Sequence, residues 1–393
     1  MSKQISMSEF KRIQKERAEQ RSKNKEESII QVNFDNYYSQ EASRQYMSAH
    51  NLMDFLDDPA TFWLKNQTDA LERTVSAALI GGNIFHAFME GQDEFSNYIR
   101  ENAKAITGVQ EFNRQKKTVL GIKEDMIEED LSIKMDGEDE KAIKKEIKQA
   151  VKAYEKDRLE ADASKHIARS IVNEGPDSIS VLSSHSDVWD HIRAMWDKRE
   201  KIWEEQPNTI REYIITEKIA GVPFKGRIDV LQVDEENKRA LIYDYKTLGP
   251  KDYYGRYWNV EEERFVNKNF VQERNYDLQM WIYRYMVSQK FNIPEENVEV
   301  KLGILVKGNS KQFAKTPANF INTKSLGDAE LLAPRFSDGE QSGMTAKDIV
   351  FKYANEAYEL ANSKVAPDYV QNSLIYQVTQ DEPAELHIDK FLL

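Results

Sequence analysis

The residues best suited to chemistry lie in one stretch, 217–246, that has the alternating pattern of two strands joined by a polar turn. Asp229 belongs to the first predicted strand, and Asp244 and Lys246 belong to the second. Because side chains alternate along a strand, Asp244 and Lys246 project from the same face. Buried carboxylates and a buried ammonium are costly unless they are paired or bind a metal. Two carboxylates beside a lysine therefore favour phosphodiester hydrolysis assisted by a divalent cation.

A small β-sheet must position these groups. Alternating runs predict three successive strands, 212–218, 224–233 and 239–245, which we expect to pair as an antiparallel meander. Glu217 lies at the end of the first of these strands, close enough to join the two aspartates. A further buried strand, 298–306, is expected to pack beside the meander.

Helices are predicted on both sides of this sheet in the sequence. Residues 276–289 form a clear amphipathic pattern that places Gln279 and Tyr283 one turn apart on one face. A second apolar helix carries Gly82 and His86, also four residues apart. From the residues alone, His86 is more typical of a satisfied core histidine than of a metal ligand.

The composition excludes several classes of protein. The chain has 393 residues, a formal net charge of −12 and no cysteine. Disulfides, cysteine-bound zinc and iron–sulfur clusters are therefore excluded, and a cytoplasmic setting fits. No run approaches the roughly 20 apolar residues of a membrane span, so no membrane association is expected. The acidic balance argues mildly against coating nucleic acid, but not against a nuclease with a basic channel.

Changes in composition predict the domain organisation. Residues 1–34 indicate a polar, basic and flexible arm, and 35–310 the main domain. Residues 122–163 are a charged helical insertion, most simply explained as solvated helices. Residues 311–393 form a C-terminal extension, with a helix at 345–362 and an otherwise irregular tail. The loop after Lys246 interleaves aromatic, basic and acidic residues, so a DNA contact there is left open.

The motifs, taken in chain order, resemble those of the PD-(D/E)XK nuclease superfamily. They are GxxxH at Gly82 and His86, Glu217, GRIDV at Asp229, YDYKT at Asp244 and Lys246, and QMWIY at Gln279 and Tyr283. The nearest likeness is to the RecE-type and RecB-type exonuclease branch, which includes phage recombination nucleases, and it extends over about residues 45–310. The resemblance implies an α/β fold with a mixed central sheet, an antiparallel meander, flanking helices and helical insertions.

The resemblance also implies a role for each matched residue. The ligands of Mg²⁺ or Mn²⁺ would be His86, Asp229, Asp244 and the backbone carbonyl of Tyr245. Lys246 would orient and help to deprotonate the attacking water. Glu217 would serve a second metal or its water, while Gln279 and Tyr283 would position the lysine or a phosphate.

The function implied is a metal-dependent DNA exonuclease that resects duplex ends, 5′→3′, and leaves 3′ single-stranded tails for recombination. Its partners would be double-stranded DNA ends, a single-strand annealing protein and further copies of itself in a ring. Its setting would be the cytoplasm of a bacterial host, encoded by a phage or prophage. Three alternatives stay open: a CRISPR-associated nuclease, an endonuclease of the same superfamily, and a catalytically inactive DNA-binding or assembly protein. The lack of cysteine weighs against the iron–sulfur forms of the first.

Overall fold

A helical region precedes the sheet. The computed structural model describes residues 30–68, 76–134, 140–204, 208–259, 263–267, 269–306, 322–335 and 341–381. The helices before the sheet are α1 (Gln40–Gln45), α2 (Ala49–Asp57), α3 (Pro59–Gln67), α4 (Ala77–Glu90), α5 (Gln92–Glu101), α6 (Ala103–Lys134), α7 (Glu140–Asp157), α8 (Leu159–Glu174), α9 (Ser186–Met195) and α10 (Arg199–Trp203). Of the predicted arm 1–34, residues 1–29 lie outside the described part.

A five-stranded mixed sheet forms the centre of the fold. The strands are β1 (Thr209–Ile219), β2 (Val222–Asp234), β3 (Arg239–Leu248), β4 (Arg256–Asn259), β5 (Arg264–Asn267), β6 (Val298–Val306) and β7 (Asn322–Ser325). The sheet order is β1-β2-β3-β6-β7, and β4 pairs with β5 in a separate ribbon. β1, β2 and β3 form the predicted antiparallel meander, whereas β3 and β6 are parallel. The predicted mixed α/β architecture is confirmed.

Further helices connect and follow the strands. They are α11 (Pro250–Tyr253), α12 (Phe270–Glu273), α13 (Tyr276–Phe291), α14 (Asp328–Leu331), α15 (Ala346–Asn362), α16 (Asp368–Gln371) and α17 (Leu374–Asp381). The crossover from β3 to the parallel strand β6 contains α13, as a parallel connection requires. The prediction of an irregular tail is wrong up to residue 381, because α16 and α17 continue the fold there; 382–393 lie outside the described part. The stretch after Lys246, predicted to be a loop, contains α11 and the β4–β5 ribbon.

Two hydrophobic clusters cover opposite faces of the sheet. Ile242 of β3 belongs to the first cluster, which also contains buried residues of α13 and α15. The neighbouring Tyr243 and Tyr245 pack in the second, which contains Phe85 and Phe88 of α4. This alternation is the period of two that a strand buried on both faces produces. Helix α15, in the C-terminal extension, is thus part of the same core.

The charged stretch 122–163 falls on the helices α6, α7 and α8. Helix α7 buries none of its side chains, in agreement with its mixed charges. Within the described ranges, no helix combines the length and the apolar character that crossing a membrane would need.

Candidate active site

The two aspartates lie where strands β2 and β3 separate. Their ladder ends at the pair Val230 and Tyr243, one position before Asp229 would face Asp244. Beyond that point β3 continues its pairing with β6 as far as Leu248. The carboxylate of Asp229 bridges the gap, since its Oδ2 accepts a hydrogen bond of 2.6 Å from the backbone N–H of Tyr245. The separation of the strands thus creates a buried fork lined by two carboxylates.

Lys246 and helix α13 surround the second aspartate. The Nζ of Lys246 forms an ion pair with Oδ2 of Asp244. The Nε2 of Gln279 lies 3.3 Å from Oδ1 of Asp244 and 3.2 Å from the hydroxyl of Tyr283, and donates to both. The ring of Tyr276 has its centroid 5.3 Å from the lysine Nζ. The structure therefore brings Asp244, Lys246, Gln279 and Tyr283 together, with Gln279 in contact with Asp244.

His86 reaches the fork from the other side of the sheet. Its Nδ1 lies 3.5 Å from Oδ2 of Asp229. The ring meets that of Tyr245 edge-to-face, with the centroids 6.1 Å apart. Burial, and then the charge of Lys246, lowers the pKa of His86 to about 4. The imidazole is therefore neutral at pH 7, the form that can ligate a metal.

Burial and neighbouring charges shift the pKa values of the other groups of the fork in opposite directions. Burial raises the pKa of Asp229 to about 6, against the opposing effect of the Lys246 ammonium. Burial likewise raises the pKa of Asp244. Burial lowers the pKa of Lys246, but the charges of Asp244 and Asp229 outweigh it, so that the net shift is upward. In this arrangement Lys246 is a cation that compensates Asp244, a state that suits orienting a nucleophile better than accepting a proton.

A glycine of β2 makes room for the α13 side chains. A Cβ added to Gly226 would lie 2.8 Å from Cε1 of Tyr283, closer than real Cβ contacts allow. Tyr283 is buried, so its ring cannot move away without disturbing the core. The glycine of the GRIDV motif thus permits the approach of α13 to the sheet.

A third carboxylate, Glu212 of β1, also faces the fork. The β1–β2 ladder pairs residues on either side of Glu212 but leaves Glu212 itself out, opposite Asp229. The backbone of Glu212 is left-handed there, with φ 53°, an uncommon conformation for a residue other than glycine. Its Oε2 lies 2.6 Å from Nε of Arg227. The sequence pattern did not predict this residue as part of the site.

The pKa of the Glu212 carboxyl group lies well above its ordinary value. Burial, followed by the negative charges of Glu90 and Asp229, raises its pKa to about 9. Glu212 is therefore mostly protonated at neutral pH. Glu90, one turn after His86 on α4, is thus a second polar group near this part of the site.

Glu217, in contrast, lies away from the fork. It pairs with Phe224 of β2, five positions before Asp229, which corresponds to roughly 16 Å along a strand. The pKa of Tyr213, which burial raises, is raised further by the charge of Glu217. The expectation that Glu217 joins the two aspartates is not met, because the carboxylate that β1 presents to Asp229 is Glu212.

The donor atoms at the fork fit a hard divalent cation. Mg²⁺ is commonly held by one or two carboxylates and keeps several waters. Asp229 and Asp244 provide these carboxylates, and the Oδ2 of Asp244 is a buried acceptor that faces the ammonium of Lys246 without a well-formed hydrogen bond. Within the described residues, no three His, Asp or Glu side chains already converge on one point. The residues thus fit an ion completed by water, rather than a preformed cage of side chains.

Comparison with known proteins agrees with this geometry. Residues 190–305 match the family model described as "PDDEXK-like domain of unknown function (DUF3799)". The matched stretch contains Asp229, Asp244, Lys246, Gln279 and Tyr283. This part of the chain is thus similar to a PDDEXK-like domain.

The fold has a solved relative. A protein from Eubacterium rectale, which carries the name "Putative exonuclease", superposes with a TM-score of 0.52 at 15% identity. The match covers 92% of this chain and 98% of the other. The likeness extends the shared fold well beyond the PDDEXK-like domain, to the helices on both sides of it. None of the curated proteins compared with the chain matches it.

Proposed function

We propose that this protein is a Mg²⁺- or Mn²⁺-dependent deoxyribonuclease that degrades duplex DNA from its ends. The observation that carries the proposal is the fork itself, where Asp229, Asp244 and Lys246 meet His86 within a nuclease-type fold. Buried charges of this kind are costly and are retained where they bind a cation or act in catalysis.

Each residue has a distinct task in this proposal. Asp229, Asp244, His86 and the carbonyl of Tyr245 would hold the cation. A cation bound there would stabilise charge on the phosphate and favour a nucleophilic hydroxide. Lys246 orients the attacking water and balances charge on the scissile phosphate. Gln279, fixed by the hydroxyl of Tyr283, holds Asp244 in the orientation that faces the fork.

The direction of degradation, the partner protein and the ring are inferred from the likeness of the motifs, in their order along the chain, to those of RecE-type exonucleases. We infer 5′→3′ degradation that leaves 3′ single strands for a recombination or annealing protein. A ring of several copies around the duplex would place DNA inside while the exterior keeps the net charge of −12. The setting proposed is a bacterial cytoplasm, with the protein encoded by a phage or prophage.

End-labelled digestion tests this proposal directly. Linear duplexes carrying a label at either the 5′ or the 3′ end are incubated with the protein and Mg²⁺, beside a closed circular duplex. The expected result is loss of the 5′ label as mononucleotides, with the complementary strand and the circle intact. Cleavage of the circle would identify an endonuclease. Intact linear DNA under all cation conditions would refute a nuclease and favour a binding or assembly protein.

A further inference from the structure

Strand β2 presents three polar side chains in a row on one face, ending at the fork. Lys225, Arg227 and Asp229 alternate along the strand and so project to the same side. The first is buried, and its Nζ donates a hydrogen bond of 2.5 Å to the backbone carbonyl of Tyr37. The second lies under the ring of Tyr38, with Cζ 5.5 Å from the ring centroid. Lys225 and Arg227, four and two positions before Asp229, thus hold the segment Tyr37–Tyr38 against β2.

The chain before Tyr38 is a tight, internally bonded turn. Oδ1 of Asn33 accepts hydrogen bonds from the backbone N–H groups of Asp35, at 3.0 Å, and Asn36, at 3.1 Å. The carbonyl of Asn33 accepts a further bond of 2.9 Å from the N–H of Tyr37. These hydrogen bonds hold the backbone of the turn up to Tyr37, whereas the adjoining Tyr38 side chain is 63% exposed. An exposed aromatic ring on a fixed backbone has little conformational entropy to lose on binding.

Arg227 joins this ring to the proposed catalytic groups. It lies two positions before Asp229 in β2, so its side chain projects from the same face of the strand as that carboxylate. Its Nε lies 2.6 Å from Glu212 Oε2, and its side chain is partly exposed. A guanidinium has five N–H donors, so one contact to a carboxyl group leaves capacity to bind a phosphate.

We propose that Tyr38 and Arg227 form the contact for a nucleotide of the DNA strand beside the scissile bond, with the Tyr38 ring stacking on the base and Arg227 donating to the phosphate. Aromatic stacking with a neighbouring cation is the general way in which proteins hold unpaired nucleotides. The inference rests on the proposed function, because it assigns a contact to the DNA strand that would enter the fork. It adds a binding role for Tyr38, a residue that belongs to none of the sequence motifs.

Binding measured without hydrolysis tests this contact separately from catalysis. The full chain is titrated with a fluorescein-labelled duplex bearing a short single-stranded end, in EDTA, and fluorescence anisotropy is followed. Tyr38→Ala is expected to weaken binding about tenfold, as the loss of one stacked base predicts. Tyr38→Phe, which keeps the ring, should bind within about twofold of the wild type. Phe34→Ala is the matched control, because Phe34 is 64% exposed in the same turn but belongs to none of the ring contacts near Arg227.

The outcomes separate this inference from the proposed function. Undiminished binding by Tyr38→Ala, or an equal loss in Phe34→Ala, would overturn the contact even if the wild type cleaves DNA. A wild-type protein that binds the end in a Tyr38-dependent way without cleaving it under any cation condition would support the contact and refute the nuclease. Failure of the wild type to bind the DNA would overturn the contact. Thermal unfolding of each variant verifies that the turn mutations leave the fold intact.

Discussion

The backbone N–H of Tyr245 and the carboxylate of Asp229 are joined by a hydrogen bond of 2.6 Å across the point where β2 and β3 separate. Asp229 therefore has a structural role, as the acceptor for a strand N–H that lacks a ladder partner there. It also has the proposed role of a cation ligand. The two roles can be separated by substitution.

Asp229→Asn keeps an oxygen that can accept from Tyr245 but loses the charge. We expect DNA cleavage to fall at least a hundredfold while the melting temperature stays close to that of the wild type. Asp229→Ala removes the acceptor as well and leaves a buried N–H unpaired, which should cost about 1–3 kcal/mol of unfolding free energy. Urea unfolding measures this difference. Equal stability of both variants would show that the hydrogen bond contributes little.

Asp244→Asn and Lys246→Ala test the other half of the fork. Each should reduce cleavage of linear duplex by about 10²–10⁴-fold, the usual contribution of a group that assists proton transfer or charge balance. DNA affinity in EDTA should stay near that of the wild type. The control is Glu217→Gln on the same sheet, which we expect to cleave normally because Glu217 lies opposite Phe224. Loss of activity in Glu217→Gln would contradict the placement of Glu212 as the third carboxylate.

Divalent cations should stabilise the folded protein in the absence of DNA. Asp229 and Asp244 are buried carboxylates, and the charge of Asp229 adds to the burial that raises the pKa of Asp244; a bound cation relieves that repulsion. Millimolar Mg²⁺ or Mn²⁺ is expected to raise the melting temperature relative to EDTA, by the linkage of binding to folding. The double variant Asp229→Asn, Asp244→Asn should show no such increase. An equal increase in the double variant would locate cation binding elsewhere.

Glu212 should make stability fall as the pH rises. Burial raises its folded-state pKa to about 9 from an ordinary value of 4.5. Between these values the folded protein keeps a proton that the unfolded chain releases, so each increase in pH in that window favours unfolding. Glu212→Gln removes this contribution. The variant should match the wild type near pH 4.5 and be progressively more stable towards pH 9, measured as melting temperature in EDTA. Parallel pH curves for the two proteins would contradict the buried, neutral state of Glu212.

Gly226 should not tolerate a larger side chain. Alanine would place a Cβ 2.8 Å from the buried ring of Tyr283, and overpacking of this kind costs about 1–3 kcal/mol. Cleavage should fall as well, because Tyr283 holds Gln279. The control is Gly121→Ala on α6, where no neighbour lies within 4 Å of the new Cβ, so the substitution should raise stability by up to about 1 kcal/mol. Urea unfolding and end-label release measure the two effects.

The strands and the residues that follow regular alternation could be predicted from the sequence. Asp244 and Lys246 lie two apart in an unbroken strand, so their shared face follows from the period of two alone. The helix that carries Gln279 and Tyr283 also has a regular period. His86 became a candidate ligand only through the resemblance of the GxxxH motif, since an apolar helix accommodates a core histidine equally well.

Glu212 could not be found in this way, because its left-handed backbone breaks the alternation that predicts which face a side chain occupies. Glu217, in a regular part of β1, therefore looked like the better candidate. Tyr38 was equally hidden, since it lies near the sequence boundary expected for a flexible arm. Its position depends on a contact between residues nearly two hundred positions apart, Tyr37 and Lys225.

The parallel pairing of β3 with β6 has a consequence for how the protein is made. β6 follows β3 only after the whole crossover that contains α13, and distant parallel pairing is slow because the connecting chain must first be ordered. A growing polypeptide that has emerged only as far as Lys246 carries both aspartates and the lysine, yet lacks the strand that fixes them. We therefore expect the proposed hydrolytic centre to be assembled late during translation, after residue 306 has left the ribosome.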